Sequence, residues 1–556
     1  MWASGTPVVC HVIVDSQPPP TNTGLRILSE PVMATGDTDN AEVSPPVEPA
    51  NSRLELPIEI ICYIFEFLEW RQLLRCRQIS QYMKHSIDNL SAFQYKLKLV
   101  IAGMSDNPSN SLPVDKKYDI LNVYYRQWSA SFADDLKRHE SAYSLDGEHR
   151  WQFVLTGGVL AQRKNDNAIE FTQLPSRTRG IASRTWAVLL PAELQKFAMD
   201  PQQDLLVVLE APLVDDDDTI VRILKLTSGE NHPDAVQPVL RYPRNVLRDI
   251  KCSTIINGSY LSILSYNRML LVWDWRTGVI VYQYGPGITS SAWLSGSFLL
   301  LSFRFYPCGP NHTFNNPCDC APALLLVNLA DSTKRKWKLL LPTLLRHRRV
   351  GEIDLECGPV VAAPLSSGNV PPFDVAPEDR LVCLTADVTI SFVLYMLSSK
   401  LLEAIRGVRG GTRSPEEIPW AAWGPQATRA GEEPGVYTAH GIYGTKQVVL
   451  DKSGSYPKLV IRDFNHWRIK YEKHSGTMDV DSYTSPRIVT SPVWRSRRIY
   501  SLLPFIKDLR TELPFIETTF PMMDHSINPL AVMISEDSLI VCEDQEHGPE
   551  FVVYSL

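Results

Sequence analysis

The hydrophobic period of the chain changes once, near residue 133, and this change divides the sequence into two parts. Between Leu54 and Ser131 apolar residues recur at three- and four-residue steps, the period of an amphipathic helix. Beyond them, short apolar runs alternate with turn signals, which is typical of strands. The sequence therefore predicts an α+β multidomain protein, with a small all-α region followed by a large all-β region.

Four helices are predicted in the first part. Their apolar stripes are Ile60, Ile64 and Leu68, with Ile61 and Phe65 beside them; Leu73, Cys76, Ile79, Met83 and Ile87; Phe93, Leu97, Val100, Ile101 and Met104; and Tyr118, Leu121, Tyr125 and Trp128. Pro57 precedes the first helix, where proline is accepted in the first turn. Gly103 is expected to end the third helix, and Asp115 to cap the fourth.

The clearest repeat in the second part is a strand–turn–strand unit. Tyr260–Asn267, Met269–Trp275 and Val279–Tyr282 have the composition of strands, and Arg276-Thr277-Gly278 supplies a tight turn. This unit resembles one blade of a WD-repeat propeller, with Trp273-Asp274 at the position of the signature dipeptide.

Weaker copies of this unit recur along the β part. They include Asp200–Val208, Val221–Leu226, Leu324–Leu329, Ala376–Cys383, Ser391–Met396, Leu459–Asn465 and Phe551–Leu556. Their spacing of roughly 45 to 65 residues exceeds that of regular WD repeats. We therefore expect a WD-repeat-like propeller of about seven degenerate blades with long loops. An irregular β-sandwich array or two stacked β domains is the alternative.

The predicted domains are a disordered leader at 1–53, a compact helical unit at 54–98, a helical linker region at 99–131 and a propeller-like β domain at 140–556. The leader contains proline runs and many Ser, Thr, Asp and Asn residues without a persistent period.

Composition limits the possible partners and compartments. Hydrophobic residues make up 44% and charged residues 21% of the chain, as in folded globular proteins. The net charge of −7 gives no support for nucleic-acid binding. The ten cysteines are scattered and imply no disulfide framework. No apolar run approaches the ~18–20 residues of a membrane span. We expect a soluble protein of the cytoplasm, the nucleus or both, without a membrane or nucleic-acid partner.

The most specific motif begins the helical part. Leu54–Leu68 and Leu73–Ser80 closely resemble the F-box, whose pattern is Leu-Pro, an acidic residue with Ile, Ile-Phe-x-x-Leu, and Leu-Leu-x-Cys-x-x-Val-Ser. The matching residues are Leu56, Pro57, Glu59, Ile60, Ile64, Phe65, Leu68, Leu74, Cys76 and Ser80. Ile79 replaces the usual valine by another β-branched residue.

The helical unit at 54–98, which this resemblance identifies as an F-box, also contains more apolar residues than a small core can hide, and such a surplus is typical of a partner surface. The resemblance implies that this partner is a Skp-family adaptor, which connects the chain to a cullin and a RING subunit. The residues predicted to bind the adaptor are Leu56, Pro57, Glu59, Ile60, Ile64, Phe65, Leu68, Leu73, Leu74, Cys76, Ile79 and Ser80.

The implied function is substrate recognition in a Skp-cullin-F-box ubiquitin ligase. The β domain would bind an unidentified target protein, and the chain itself would be neither an enzyme nor a cofactor-binding protein. Two alternatives remain open: a scaffold that binds the adaptor or other partners without a cullin, and a propeller that binds a ligand or catalyses a reaction.

A further resemblance is to a group of F-box/propeller-like proteins abundant in mushroom-forming fungi. The segments that carry it are Gln94-Tyr95, Ala102-Gly103-Met104, Asp106-Asn107, Ile418-Pro419-Trp420, Trp423-Gly424-Pro425, Thr428-Arg429, Tyr443-Gly444-Thr445 and Asp463-Phe464-Asn465. They imply the same two-part architecture and identify no ligand.

Other candidate sites are better explained by ordinary structure. Cys308, His312, Cys318 and Cys320 could supply four zinc ligands, but their spacing matches no common finger and a loop is favoured. Solvated loops also explain Asp215–Asp218, Arg406–Arg413 and the basic clusters at 334–336, 346–349 and 495–498. Trp420 and Trp423 are predicted to pack between blades rather than to stack on a ligand.

Overall fold

The computed structural model describes residues 57–129, 137–144, 153–176, 179–210, 218–242, 253–265, 268–285, 287–303, 322–342, 353–358, 370–377, 379–386, 392–432, 440–452, 457–480, 486–491, 510–521, 529–545 and 548–555. Ile58–Leu556 form one compact unit, and a first unit ends at Pro57. The predicted leader and Leu56 lie outside the described residues. The domain limits given above stay predictions.

The described part between Pro57 and Ser129 is helical. Its elements are α1 (Ile58–Glu66), α2 (Trp70–Cys76), α3 (Gln81–Asn89), α4 (Ser91–Ala102), β1 (Met104–Asp106) and α5 (Val114–Ser129). The Ser80 hydroxyl accepts a hydrogen bond from the Met83 amide at 3.1 Å and so caps α3. Gly103 ends α4 in the left-handed conformation, with φ 72°.

Two local predictions about these helices are wrong. The stripe from Leu73 to Ile87 is divided between α2 and α3, because Ser80 caps a new helix inside it. The three- and four-residue spacing continues across this break, so the period alone does not reveal it. Asp115 is not the N-cap of α5, which already begins at Val114. Its carboxylate lies in the first turn, where negative charge also favours the helix.

Seven sheets follow, each with four strands or more, and they are called blades 1 to 7. The first strand in the chain is β2 (Lys137–Ser144). Blade 1 contains β3 (Phe153–Thr156), β4 (Val159–Asn165), β5 (Ala168–Gln173) and β6 (Arg184–Leu189). Blade 2 contains β7 (Leu194–Asp200), β8 (Leu205–Glu210), β9 (Thr219–Lys225) and β10 (Val239–Tyr242). Blade 3 contains β11 (Ser253–Asn257), β12 (Tyr260–Leu264), β13 (Leu270–Asp274) and β14 (Val279–Tyr284).

The later blades carry insertions. Blade 4 contains β15 (Ile288–Trp293), β16 (Phe298–Phe303), β17 (Ala323–Asn328) and β18 (Lys336–Leu340). The elements from 353 to 432 are β19 (Ile353–Cys357), β20 (Phe373–Val375), β21 (Leu381–Ala386), β22 (Phe392–Leu397), α6 (Ser398–Ala404), β23 (Glu416–Ile418), α7 (Trp420–Ala427) and β24 (Thr428–Glu432). Of these, β19, β21, β22 and β24 form blade 5, whereas β23 adds to the edge of blade 4 beside β18.

The last two blades complete the ring. The elements from 442 to 521 are β25 (Ile442–Tyr443), β26 (Lys446–Asp451), β27 (Lys458–Asp463), α8 (His466–Ser475), β28 (Asp479–Val480), β29 (Arg487–Val489) and β30 (Phe515–Pro521). Their strands form blade 6. Blade 7 contains β31 (Pro529–Ile534), β32 (Ser538–Gln545) and β33 (Gly548–Ser555), with β2 as its outer strand. The pairing of β2 with β33 therefore joins the first and last strands of the ring.

Neighbouring blades share their hydrophobic cores all the way round this ring. For example, Phe171 of blade 1 and Val208 of blade 2 belong to one core, and Phe153 of blade 1 and Phe551 of blade 7 belong to another. Further shared cores join blades 2 and 3, 3 and 4, 4 and 5, 5 and 6, and 6 and 7. The architecture is therefore a closed seven-blade β-propeller, as the sequence predicted.

The strongest sequence repeat corresponds to β12, β13 and β14 of blade 3. The predicted turn is made by Arg276-Thr277-Gly278, whose Asp274 neighbour accepts the Arg276 amide at 3.0 Å. Gly278 has φ 76°, and a Cβ atom there would lie 2.8 Å from the Gln237 side chain. Both observations explain why glycine is required at this turn.

The helical region lies on one face of the propeller. Strands alternate in direction across each blade, so the first-to-second and third-to-fourth connections leave on the same side. On that side blade 5 inserts β20, which pairs with β1, and blade 6 inserts α8, which contacts α4. We call this side the helix-bearing face.

Candidate partner-binding surface

The first four helices close around a small core. Its buried members are Ile61, Phe65, Leu73, Ile87 and Phe93. The Phe65 and Phe93 rings meet edge to face, with centroids 5.6 Å apart. Phe65 and Leu73, two of the predicted adaptor-binding residues, are therefore interior, and a direct contact of either with a partner stays a prediction.

Most of the other predicted residues are accessible. The exposed fractions are 47% for Ile60, 45% for Ile64, 37% for Leu74 and 68% for Ile79. Pro57, Glu59 and Ser80 are also exposed, whereas Leu68 and Cys76 are half-buried. Four large apolar side chains of one small helical bundle are thus left partly in solvent, and such a surplus of exposed apolar surface is typical of a partner-binding site.

Aromatic side chains that the sequence analysis did not select enlarge this surface. Tyr63 is 61% exposed, Phe67 73% and Tyr82 50%. Tyr63 follows Ile60 by three residues and so lies on the side of α1 away from Ile61 and Phe65. Phe67 lies in the turn directly after α1, and its ring centroid is 5.1 Å from that of Tyr63. The same helical spacing would have identified Tyr63, because it shares the stripe of Ile60 and Ile64.

Polar contacts fix the bundle beneath this surface. The Arg77 guanidinium donates to both carboxylate oxygens of Asp88, at 2.7 and 3.0 Å, and this hydrogen bonding lowers the pKa of Asp88. The Lys96 ammonium donates to the carbonyl oxygens of Glu66 and Leu68, at 3.1 and 2.5 Å. Burial lowers the pKa of Lys96. A cation at these carbonyl groups stabilises the end of α1.

The surface belongs to a recognised domain. Residues 54–95 match the F-box domain family. This chain carries an F-box. The F-box is followed by a seven-blade β-propeller, an architecture typical of non-catalytic adaptor proteins, and F-box domains generally bind Skp-family adaptors.

Comparisons of the whole chain add little to this assignment. None of the curated proteins matches it. The WD40 domain of Toxoplasma gondii coronin is 12% identical, with a TM-score of 0.36 over 75% of this chain and 85% of that one. BamB of Moraxella catarrhalis is 9% identical, with a TM-score of 0.28 over 75% of this chain and 99% of that one. The WD40 β-propeller domain of Doa1 is 11% identical, with a TM-score of 0.29 over 75% of this chain and 96% of that one. These TM-scores are low, so the propeller assignment rests on the sheet order and the shared cores.

The F-box is joined to the propeller by α4 and α5, which share one core with blades 6 and 7. Tyr124 and Trp128 of α5 are 2% and 5% exposed in this core, beside Phe373 of the blade 5 insertion. The β1–β20 pair extends the junction by backbone hydrogen bonds, with Met104 opposite Val375. No sequence pattern predicts β1, because three residues of strand are too few to show a period.

One asparagine caps two helices at this junction. The Asn465 Oδ1 atom accepts from the Trp467 and Arg468 amides at the start of α8, at 3.0 and 3.2 Å. Its Nδ2 atom donates to the carbonyl groups of Val100 and Ile101 at the end of α4, at 3.3 and 3.0 Å. A single side chain therefore connects the F-box-bearing helices to blade 6.

A buried ion pair lies beside this asparagine. The Arg468 guanidinium donates to Asp463 at 2.7 Å and to the Trp128 carbonyl group at 3.2 Å. Burial by itself would raise the pKa of Asp463, but the positive charges of Lys446 and Arg468 hold it below its ordinary value. Asp463-Phe464-Asn465, one of the segments quoted for the fungal resemblance, is thus a structural element of the junction.

Two tryptophans connect the F-box itself to the propeller. The Trp70 ring of α2 meets the Trp467 ring of α8 edge to face, with centroids 4.3 Å apart. The Arg71 guanidinium lies 4.6 Å from the Trp70 centroid, and the Lys470 ammonium lies 4.5 Å from that of Trp467. These contacts add to the α4–α5 core and fix the F-box against blade 6.

A second buried ionic cluster lies under α5. Arg179 of blade 1 pairs with Asp537 of blade 7 at 2.6 Å and lies 3.8 Å from Asp374. The Tyr124 hydroxyl donates to the Glu536 carbonyl oxygen at 3.0 Å. Burial raises the pKa of the Glu536 carboxyl to about 7, although Arg179 opposes the shift. Charge therefore joins blades 1, 5 and 7 beneath α5, and the Tyr124 hydrogen bond joins α5 to blade 7.

The remaining candidate sites separate into buried, exposed and undescribed residues. Trp423 is buried and its Nε1 atom donates to the Leu340 carbonyl group at 3.1 Å, and Trp420 packs against the same core, which confirms the prediction of packing between blades. Asp218 is exposed. The four proposed zinc ligands, Asp215–Asp217 and the basic clusters at 346–349 and 495–498 lie outside the described residues.

Within the described ranges, no group of three or more His, Cys, Asp or Glu residues could hold a metal ion. Among the helices described, none has the length and apolarity needed to cross a membrane.

Proposed function

We propose that this protein is the substrate-recognition subunit of a Skp-cullin-F-box ubiquitin ligase. The observation that supports this is an F-box whose Ile60, Ile64, Leu74 and Ile79 side chains remain exposed. Fully burying a side chain of this size contributes about 1.5–3 kcal/mol. A Skp-family adaptor that covers this face would therefore gain most of its affinity from residues that contribute little to the folded chain alone.

The mechanism we propose is proximity. The F-box binds the adaptor and, through it, the cullin and the RING subunit, while the propeller binds a target protein. The shared core of α4, α5 and blades 6 and 7 supports this, because it holds the two binding regions in a fixed relation. Raising the effective concentration of target lysines near the ligase is then the contribution of this chain. The same proposal places the protein in the cytoplasm, the nucleus or both.

The experiment is co-purification from cells with an Ile60→Asp/Ile64→Asp variant. Both side chains are almost half exposed, so the charges can be hydrated in the free protein and the fold should survive. The matched control is Leu189→Asp on β6, a residue 76% exposed and outside the helical region. We expect wild type and control to recover a Skp-family adaptor and a cullin, and the double variant to recover neither.

The outcomes separate the possible functions. An adaptor that co-purifies equally with all three proteins would show that Ile60 and Ile64 are not in the interface. An adaptor that is recovered without any cullin, also after crosslinking, would favour a scaffold outside the ligase. Proteins that accumulate on the wild-type chain when degradation is blocked are candidate targets, and the double variant should still bind them, because its propeller is unchanged.

A further inference from the structure

We infer that blade 4 and the blade 5 insertion together form one basic surface, and that this surface binds a carboxylate-rich segment of another protein. We call it the blade 4 basic patch, and its members are Lys334, Arg335, Lys336, Arg406, Arg409 and Arg413. In the sequence they belong to two separate runs, 334–336 and 406–413. The inference rests on the proposed function, because the bound segment would belong to the target protein.

The first argument is that the fold joins the two runs. The Lys336 amide donates to the Gly411 carbonyl oxygen at 2.9 Å, and the Gly411 amide donates to the Lys336 carbonyl oxygen at 3.1 Å. The Trp337 Nε1 atom donates to the Val408 carbonyl oxygen at 3.1 Å. The loop of the blade 5 insertion that carries the second run is therefore bonded to β18, the strand that follows the first run.

The second argument is that this loop is packed in place. A Cβ atom on Gly410 would lie 2.5 Å from the Trp337 ring, so the loop backbone lies directly on the indole. The loop continues into β23, which pairs with β18 and has Glu416 opposite Trp337. Cations on a backbone that is already fixed lose less conformational entropy when a ligand binds.

The third argument is a local excess of positive charge. Residues 331–338 and 400–417 contain eight basic and four acidic side chains, whereas the whole chain has a net charge of −7. Three of these acidic side chains already form ion pairs, as Asp331–Arg335, Glu403–Lys400 and Glu417–Lys338, at 3.0, 2.8 and 2.7 Å. Arg406, Arg409 and Arg413 are exposed, and none of them pairs with a carboxylate among the residues described. The patch therefore has cations available for an anion from outside.

The arrangement of these cations favours several carboxylates over one phosphate group. Tight phosphate binding needs donors that converge on a single point. Arg406, Arg409 and Arg413 are instead spaced three and four positions apart along one exposed loop. The chain also provides a model of the ligand, since Glu417 of the added strand β23 pairs with Lys338 of β18. An extended acidic segment would repeat this pairing along the neighbouring arginines.

The test is a fluorescence anisotropy titration of the purified full-length chain with a labelled oligoglutamate peptide. The patch variant is Arg406→Gln/Arg409→Gln/Arg413→Gln. The control, Lys116→Gln/Arg126→Gln/Lys473→Gln, makes the same change in net charge at exposed positions of α5 and α8. We expect the patch variant to bind about tenfold more weakly than wild type and the control to stay within about twofold. The wild-type affinity should fall as the salt concentration is raised.

A further variant, Gly410→Ala, tests the assembly of the patch rather than its charge. It keeps every cation but places a methyl group against the Trp337 ring, so the loop has to move. We expect weaker peptide binding by a protein that circular dichroism shows to be folded at the titration temperature. An affinity equal to that of wild type would mean that the two runs act independently, and the assembled surface would be wrong.

Other results would overturn the inference and leave the proposed function intact. They are the absence of peptide binding by wild type, equal binding by wild type and the patch variant, and tighter binding of a peptide with a single phosphoserine. Binding of phosphatidylserine vesicles or single-stranded RNA in place of the peptide, lost in the patch variant, would assign the patch to a membrane or a nucleic acid instead.

The proposed function has a separate readout in the same proteins. The patch variant should co-purify with a Skp-family adaptor and a cullin as wild type does, because the F-box is unchanged. Failure of wild type to recover either one would contradict the proposed function, whereas the peptide titration would still report on the patch itself.

Discussion

The two sides of the helical region contain the same kinds of residue, but one side is buried and the other is exposed to solvent. Towards the propeller, the aromatic rings of Tyr124 and Trp128 are 2% and 5% exposed. Away from it, Phe67 and Ile79 are 73% and 68% exposed. The inner side is completed by blades 6 and 7 of the same chain, whereas the outer side lacks a covering surface within the described residues. Exposure, rather than composition, therefore separates the interior of this region from its candidate binding surface.

The most disruptive test of the inner side is Arg468→Ala. It leaves the Asp463 carboxylate buried without its guanidinium partner and removes the bond to the Trp128 carbonyl group. Breaking a buried pair from one end costs about 3–5 kcal/mol. We expect that loss in the free energy of unfolding, measured by urea titration. A matched control is Arg71→Ala, which removes an exposed guanidinium stacked on Trp70. Equal small losses for both variants would show that the junction contributes little to stability.

Two neighbouring leucines of the F-box show the same contrast between interior and surface within one helix. Leu73 is 0% exposed and Leu74 37% exposed, one residue apart on α2. Leu73→Ala should destabilise the protein by about 2–5 kcal/mol, because it empties a packed site. Leu74→Ala should change stability by less than about 1 kcal/mol and instead weaken adaptor binding. Unfolding and adaptor titrations on both variants provide the measurement. If Leu74→Ala destabilises as much as Leu73→Ala, Leu74 belongs to the core.

The ionic cluster under α5 predicts a pH dependence of the inner side. The ordinary pKa of Glu536 is 4.5 and the fold raises it to about 7. Between these values the folded protein keeps a proton that the unfolded chain releases, so stability falls as the pH rises from about 4.5 to about 7. The full pKa shift of Glu536 corresponds to a loss of at most about 3 kcal/mol in the free energy of unfolding. Glu536→Gln should remove this loss, so its unfolding temperature should exceed that of wild type at pH 8 and approach it at pH 5.

The control for this titration is Glu416→Gln, since Glu416 is exposed. It should retain the pH profile of wild type. A Glu536→Gln profile that also follows wild type would place the titrating group elsewhere, for example at Asp374, whose pKa burial raises as well.

The two-part fold could be predicted from the sequence because the hydrophobic periods of helices and strands are set by residues close together in the chain. The helical stripe and the repeat at Tyr260–Tyr282 each depend on residues within one or two elements. The split between α2 and α3 was missed because Ser80 changes the capping without changing the period. The junction was missed for a different reason: Asn465 bonds to Val100 and Ile101, more than 360 residues away in the chain. No periodic pattern records such a distant pair.

The residues of the candidate surface were predicted from the F-box motif, and only some of them are exposed in the structure. The F-box pattern includes Phe65, which the fold buries, and it leaves out Phe67, which the fold exposes. A motif mixes residues needed for folding with residues needed for binding, and the sequence alone does not separate them. Helical phase separates the two groups on α1, where Ile60 and Ile64 lie on one side and Ile61 and Phe65 on the other.

The smallest expected effect belongs to the asparagine that caps two helices. Asn465→Ala removes the acceptor for the amides of α8 and the donor for the carbonyl groups of α4. A lost N-cap costs about 0.5–2 kcal/mol, and the unpaired α4 carbonyl groups add to it. Asn465→Ser keeps a capping oxygen for α8 and loses only the donor, so we expect it to recover about half of the loss. Hydrogen exchange at the last turn of α4 should increase in both variants. Protection there that is unchanged in both would mean that α4 is held by its apolar contacts alone.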